Sequence, residues 1–161
     1  MMGEGLLLHV YLRLSAIALM VLAGASLAAE SQRPSPLKSG VEFTGEEMRR
    51  LQADDFANPG MLWVARGERL WNEGAGSSGK SCAGCHGEAA KSMKGVAARY
   101  PKVDPGAARL VDLEGRINLC RERRQQAEPL AQESDVLLSL TAYVAHQSRG
   151  LPIAVTVDWQ N

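Results

Sequence analysis

Apolar side chains recur at helical spacing in two long segments of this chain. The first segment predicts a helix over residues 61–72, with an apolar face formed by Trp63, Gly67, Leu70 and Trp71. The second predicts a helix from Ser134, as N-cap, to about Gln147, with apolar positions at Val136, Leu137, Leu140, Tyr143 and Val144. Gly150 and Pro152 end that pattern. These faces predict an all-α domain in which the terminal helix crosses the first one.

Shorter elements are predicted around these helices. Thr44 and Glu47 have the spacing of a capping box, which predicts a short helix with Thr44 as N-cap, ending at Leu51 or Gln52. The segment 113–121 has helical character, and Cys120 shares a face there with Leu113 and Ile117. Residues 74–79 predict a flexible turn, and residues 153–159 resemble a single strand without an evident partner.

The N-terminal pattern is typical of an export signal. Arg13 precedes an apolar run over residues 14–22, and small residues follow, so we expect cleavage after Ala28. An uncleaved membrane anchor is the alternative, but the run is shorter than the roughly 20 residues that span a bilayer. The predicted organisation is a signal peptide over 1–28, a linker with a short helix over 29–57, a globular domain over 58–150 and an extended tail over 151–161, which could begin a second domain.

Charge and composition narrow the possible partners. Eighteen basic residues balance eighteen acidic ones, so overall electrostatics give no reason to expect binding to nucleic acid or to an anionic membrane. With 161 residues the chain has room for one core, and its aromatic fraction of 5% is low. We therefore expect a bound group to supply part of the apolar core. Export predicts a periplasmic protein without stable membrane insertion once the signal is removed.

The segment Cys82-Ala83-Gly84-Cys85-His86 has the C-x-x-C-H form of a haem-attachment motif. Two thiols at this spacing can form thioether bonds to the two vinyl groups of one haem, and the adjoining histidine can bind the iron as the proximal ligand. The alternatives are a redox pair of cysteines, half of a zinc site, or a chance match. We interpret the motif as the site of one covalent haem c, with Cys82 and Cys85 as anchors and His86 on the iron.

The second axial ligand is less evident from the residues. The candidates are Met48, Met61, Met93, Cys120 and His146. Met93 follows His86 too closely to round the haem edge easily, and Met48, Met61 and His146 fit packing or capping roles. Four arginines near Cys120, at positions 116, 121, 123 and 124, would favour the thiolate form that binds iron, although some of them belong on a solvated face. Residue types alone leave Cys120 as a ligand or as a buried core thiol.

Several further motifs occur together and in a fixed order. They are Asn58-Pro59-Gly60-Met61-Leu62-Trp63-Val64, Gly67-Glu68 with Leu70-Trp71, Gly79 through Gly87, Met93 through Pro101, Leu113 through Arg121 and Leu138 through Gly150. Together they resemble the first haem domain of the SoxA family, the larger cytochrome of the SoxAX complex in bacterial thiosulfate oxidation. The run Leu113-Glu114-Gly115-Arg116-Ile117-Asn118, followed by Cys120-Arg121, is the most specific part of this resemblance.

The resemblance implies an axial pair of His86 and Cys120, and thiolate ligation implies a low-spin haem of strongly negative reduction potential. It also implies a SoxX-like small cytochrome c and a SoxYZ-like carrier protein as partners. In that family the complex couples thiosulfate oxidatively to a carrier cysteine, as an L-cysteine S-thiosulfotransferase.

The sequence departs from the family in one respect. The family's second domain holds the haem and the cysteine of the active site, and we expect that catalytic half to be absent here, because the sequence has only 3 cysteines. No catalytic residue is therefore predicted, and enzymatic activity is left open. Two functions are expected as alternatives: a haem c subunit or fragment of the thiosulfate-oxidising complex, and an independent periplasmic monohaem electron carrier without sulfur chemistry.

Overall fold

The computed structural model describes residues 38–156. The predicted signal peptide over 1–28, residues 29–37 of the predicted linker and the last five residues of the predicted tail lie outside this range. Within residues 38–156, no helix combines the length and the apolar character needed to cross a membrane.

The described chain is a set of helices joined by turns and one small hairpin, and this confirms the predicted predominance of helices. The helices are α1 (Glu46–Ala53), α2 (Met61–Asn72), α3 (Cys82–His86), α4 (Ala89–Ser92), α5 (Leu113–Cys120) and α6 (Asp135–His146). Two 3₁₀ turns cover Gly40–Phe43 and Ala97–Arg99, and a π-helical turn, Arg121–Gln125, continues directly from α5. The two strands are β1 (Lys102–Asp104) and β2 (Arg109–Val111).

The two long helices predicted from periodicity are present and pack against each other. Ser134 caps α6, because its side chain accepts a hydrogen bond from the Leu137 N–H. The helices approach closely at Gly67, where an added Cβ would lie 2.6 Å from Tyr143 Cβ and would overlap the Ser139 carbonyl oxygen. Only glycine permits this backbone contact. Trp71, one turn further along α2, is 5% exposed.

The expected N-cap at Thr44 is wrong by one residue. Helix α1 begins at Glu46 and has Gly45 as its N-cap, without a side-chain cap. The Thr44 hydroxyl instead donates to the Val41 carbonyl at 2.8 Å and closes the preceding 3₁₀ turn. The capping box lies at the start of that turn, between Ser39 and Glu42. The local hydrogen bond of Thr44 therefore competes with its capping role.

The hairpin of β1 and β2 was not expected from the sequence. Its strands are antiparallel and pair Lys102 with Val111 and Asp104 with Arg109. Asp104 is 4% exposed and accepts a hydrogen bond from the Ala107 N–H at 2.7 Å, which fixes the turn. The hairpin delivers the chain to the start of α5, which carries Cys120.

The turn over residues 74–79 is present, but it is docked rather than free. The N–H of Ser77 donates to the Gln126 carbonyl, and the Ser78 hydroxyl donates to the Gln125 carbonyl at 2.8 Å. The approach is close at Gly76, where φ is 62° and an added Cβ would lie 2.5 Å from the Gln126 carbonyl oxygen. The turn before α3 is thus fixed to the π-helical turn that follows α5.

The strand expected over residues 153–159 is not formed in its described part, residues 153–156, which has no regular secondary structure. The Ala154 N–H donates instead to the Ala98 carbonyl at 2.8 Å. This hydrogen bond holds the tail against the segment after α4.

Candidate haem-binding site

The C-x-x-C-H motif forms the short helix α3. The Ser81 hydroxyl caps it by accepting a hydrogen bond from the Gly84 N–H at 2.9 Å. Gly87 ends it in the left-handed region, at a φ of 67°, which suits a residue without a Cβ. Cys82 is half-buried, whereas Cys85 and His86 are exposed.

Trp71 connects α2 to the motif. Its indole N–H donates to the Gly87 carbonyl at 3.0 Å, and its ring centroid lies 5.7 Å from that of His86, at an angle of 33°. Tyr143 of α6 lies on another side of the same indole, at 5.9 Å between centroids. The packing of the two long helices therefore positions the motif helix as well.

A cavity of about 330 Å³ lies beside the motif. The predicted site residues Cys82, His86 and Cys120 all line it, and Cys85, on the exposed side of α3, does not. The buried cluster of Trp71, Ala89 and Val144 forms part of the surrounding core, and Met93, Val96 and Leu113 pack against that cluster while lining the cavity. The protein's own core is thus arranged along the wall of an apolar space.

Helix α5 brings Cys120 to this cavity. The helix begins at Leu113, where the Asp112 carboxylate caps it by accepting from the Gly115 N–H at 2.7 Å. Burial raises the pKa of the Cys82 thiol, and the neighbouring Cys120 raises it further, while the Arg121 cation opposes the shift. The three cysteines form no disulfide. Cys82 and His86 of α3 and Cys120 of α5 therefore line the same cavity.

Gln125 joins the two sides of the site. It is 5% exposed, lines the cavity, and donates from Nε2 to the Lys80 carbonyl at 2.9 Å. The same nitrogen lies 3.9 Å from Cys82 Sγ. Its Oε1 is buried without a hydrogen-bond partner among the described residues. Sequence reasoning missed Gln125, because a glutamine after an arginine-rich helix carries no pattern that marks it as buried.

Among the other candidates for an axial ligand, Met93 lines the cavity as Cys120 does. Met48, Met61 and His146 are not among the residues that line it. Met48 is exposed on α1, and His146 lies in the last turn of α6. Sulfur from Cys120 or Met93 is therefore what the geometry offers to complement His86.

The charged side chains that line the cavity are cationic. Four cationic side chains line it, namely Arg99, Lys102, Arg116 and Arg121, and no aspartate or glutamate does. Of the arginines predicted to lie near Cys120, Arg116 and Arg121 line the cavity with it. Arg123 instead donates to the Gly106 carbonyl and does not line the cavity. Within residues 38–156, no group of three His, Cys, Asp or Glu side chains could hold a metal ion in the manner of a zinc site.

Comparison with known proteins identifies the family of the domain that contains this site. The sequence model of the SoxA/TsdA cytochrome c domain matches residues 66–153, which contain the motif, Cys120 and α6. The chain belongs to the SoxA/TsdA cytochrome c domain family. As a cytochrome c domain, it binds haem c.

Individual relatives agree with the family assignment. The chain is 49% identical over 120 residues to the L-cysteine S-thiosulfotransferase subunit SoxA of Pseudaminobacter salicylatoxidans, covering 74% of this chain and 42% of that protein. It is 34% identical over 128 residues to the SoxA subunit of Rhodovulum sulfidophilum, covering 80% and 45%. The crystal structure of SoxXA from P. pantotrophus superposes with a TM-score of 0.68 at 36% identity, covering 76% of this chain and 46% of the matched one. The chain spans less than half the length of these relatives.

The cavity fits haem in three respects. An imidazole and sulfur atoms of the type that bind haem iron line it, apolar and aromatic side chains can cover the porphyrin faces, and cations can compensate the negative charge of the two propionates. The cavity wall also lacks any carboxylate that would repel those propionates. Composition alone led us to expect a bound group inside the core, and this cavity is where one fits.

Proposed function

We propose that this chain is a haem c-bearing subunit, or part of one, of a periplasmic thiosulfate-oxidising cytochrome complex. In this role it transfers electrons while thiosulfate is coupled oxidatively to a cysteine of a carrier protein. Family membership and the SoxA relatives support the assignment. The observation that carries it is the meeting of His86 and Cys120, from two separate helices, at one cavity.

In this proposal, Cys82 and Cys85 would anchor a single haem through thioether bonds, and His86 and Cys120 would bind its iron. The haem supplies one-electron redox chemistry. Cys120 would bind the iron as a thiolate, because that is the form of cysteine that coordinates metals, and Arg121 lines the same cavity. A thiolate donor favours ferric iron, so this ligation would give the haem a strongly negative reduction potential.

The surrounding residues hold the two proposed ligands in place. Trp71 lies against His86 and holds the end of the motif helix through Gly87. On the other side, the docked turn at Gly76 and the Gln125 side chain tie the motif to the segment after Cys120. We assign Cys120 to iron ligation and not to catalysis, because it corresponds to the ligand of the family's first, non-catalytic haem domain.

Intact mass and electron paramagnetic resonance of the protein isolated from the periplasm test the haem assignment. We expect the mass of the chain after cleavage at Ala28 plus one haem that denaturation does not release. We also expect a low-spin ferric signal typical of histidine and thiolate ligation. A haem removed by acid and organic solvent, or a signal typical of histidine and methionine, would contradict the assigned anchors or the Cys120 ligand, respectively.

Co-purification tests the place of the chain in a complex. Tagged protein is expected to retain a small SoxX-like cytochrome c from a host that expresses both. The retained pair is expected to bind a SoxYZ-like carrier protein as well. A monohaem protein that binds neither partner would favour the alternative function, an independent periplasmic electron carrier without sulfur chemistry.

A further inference from the structure

Arg116 is held rigidly at the wall of the haem cavity by two groups from the hairpin region. Its Nη1 lies 2.8 Å from Asp104 Oδ2, and its Nε donates to the Tyr100 hydroxyl at 3.1 Å. Asp104 is 4% exposed, whereas the Arg116 side chain is 34% exposed. The buried carboxylate therefore fixes one side of the guanidinium and leaves another side open.

The open side of Arg116 has hydrogen-bonding capacity to spare. A guanidinium carries five N–H donors in a planar fork. The hydrogen bond to the Tyr100 hydroxyl occupies one of them, and Asp104 pairs with Nη1 as a counter-charge. Among the described residues, Nη2 has no hydrogen-bond partner, and Arg116 lines the cavity. The tyrosine hydroxyl and Asp104 both raise the pKa of Arg116, so the side chain is cationic at every working pH.

The part of the wall around Arg116 is cationic. Arg99 and Lys102 also line the cavity there and flank Tyr100 in the sequence. Haem c carries two propionate carboxylates on the edge opposite its thioether bonds. A planar fork is the side chain best suited to bind a carboxylate through two parallel hydrogen bonds.

We infer that Arg116 binds a propionate carboxylate of the haem through its free N–H groups, and that Asp104 and Tyr100 are positioning residues that aim it. This inference rests on the proposed haem site and adds the residue that holds the anionic edge of the cofactor. Asp104 is well suited to positioning, because the Ala107 N–H fixes its other oxygen at 2.7 Å within the hairpin turn. Without Arg116, the buried carboxylate of Asp104 would lose its main counter-charge. The free-energy cost of that loss keeps the two side chains paired.

The test uses the holoprotein and resonance Raman spectroscopy, which reports the hydrogen bonding of haem propionates through their bending bands. Arg116→Leu is expected to shift one propionate band and to lower the reduction potential, because a cation near the haem favours the added electron. Arg123→Leu is the matched control, since Arg123 lies 3.9 Å from the same Asp104 but does not line the cavity. Its propionate bands are expected to match those of the wild type.

Two milder variants keep the test decisive if Arg116→Leu fails to accumulate. Tyr100→Phe removes only the hydroxyl that accepts from Nε, and Asp104→Asn removes only the orienting charge. Each is expected to shift the same propionate band by less than Arg116→Leu, with the covalent haem mass and the paramagnetic signature of the axial ligands unchanged. Propionate bands identical to the wild type in all folded variants would overturn the inference while leaving the haem assignment intact. A wild-type protein whose intact mass shows no covalently bound haem would instead refute the proposed site.

Discussion

The backbone of Gly67 lies directly against the backbone carbonyl of Ser139. A Cβ on Gly67 would overlap that carbonyl oxygen and would also lie 2.6 Å from Tyr143 Cβ. Both partners belong to α6, and Ser139 is fully buried. The two long helices therefore meet backbone to backbone, and Trp71 next to this contact faces His86.

Gly67→Ala should force the two helices apart. Overpacking of this kind costs about 1–3 kcal/mol, because neither backbone can move aside like a flexible side chain. Thermal unfolding of the holoprotein, followed by circular dichroism, is the measurement. Gly40→Ala is the control, since a Cβ at Gly40 meets nothing within 4 Å. Equal midpoints for the two variants would argue against a close helix contact.

The docked turn before the motif gives a second paired experiment. Gly76 and Gly79 have nearly the same φ, 62° and 61°, so alanine at either position carries a left-handed cost of about 1–2 kcal/mol. Only at Gly76 would the new Cβ also clash, with the carbonyls of Gln125 and Gln126. Gly76→Ala should therefore lower the unfolding free energy in urea more than Gly79→Ala does. Similar losses would mean that the turn does not depend on this docking.

The separate roles of the three cysteines can be tested by mass. The double variant Cys82→Ser with Cys85→Ser should lose all haem that survives denaturation, because both thioether bonds are gone. Cys120→Ser should keep the full covalent mass, since the role proposed for Cys120 is that of a ligand and not of an anchor. Intact mass spectrometry of denatured protein distinguishes these outcomes. Covalent haem in the double variant would contradict the proposed anchors.

The identity of the sulfur ligand predicts opposite results for Cys120 and Met93, which line the same cavity. Cys120→Met should raise the reduction potential and replace the thiolate-type low-spin signal, because a thioether donates less electron density than a thiolate. Met93→Leu, similar in volume, should leave the paramagnetic signal unchanged and cost less than about 1.5 kcal/mol of stability. Redox titration together with paramagnetic resonance is the measurement. A changed signal in Met93→Leu alone would transfer the ligand role to methionine.

The sequence predicted those elements that have a strong local pattern. Helices α2 and α6 carry apolar residues at helical spacing over three turns, and both match their expected bounds closely. Thr44 was assigned to the wrong element, because its hydroxyl can bond either to the turn before it or to the helix after it. The hairpin was missed because strands of three residues are too short to show alternation.

The site residues also divide into those that the local sequence predicts and those that depend on contacts between distant segments. Cys82, Cys85 and His86 belong to one five-residue motif, so their association could be predicted from spacing alone. The ion pair of Asp104 and Arg116 joins a hairpin to a helix, and nothing in the local sequence connects these two residues. Gln125 was missed for the same reason, since its burial depends on contacts with Lys80 and Cys82 from a distant segment.

The docking of the turn at Gly76 onto Gln125 and Gln126 also affects how fast this domain could exchange electrons. The rate of electron transfer falls as the reorganisation energy rises. This energy is the work of moving the ligands and their surroundings between their positions in the two oxidation states. Here the segment before His86 and the segment after Cys120 are hydrogen-bonded directly to each other. With both proposed ligands attached to one fixed frame, we expect a low reorganisation energy and therefore fast self-exchange despite a strongly negative potential.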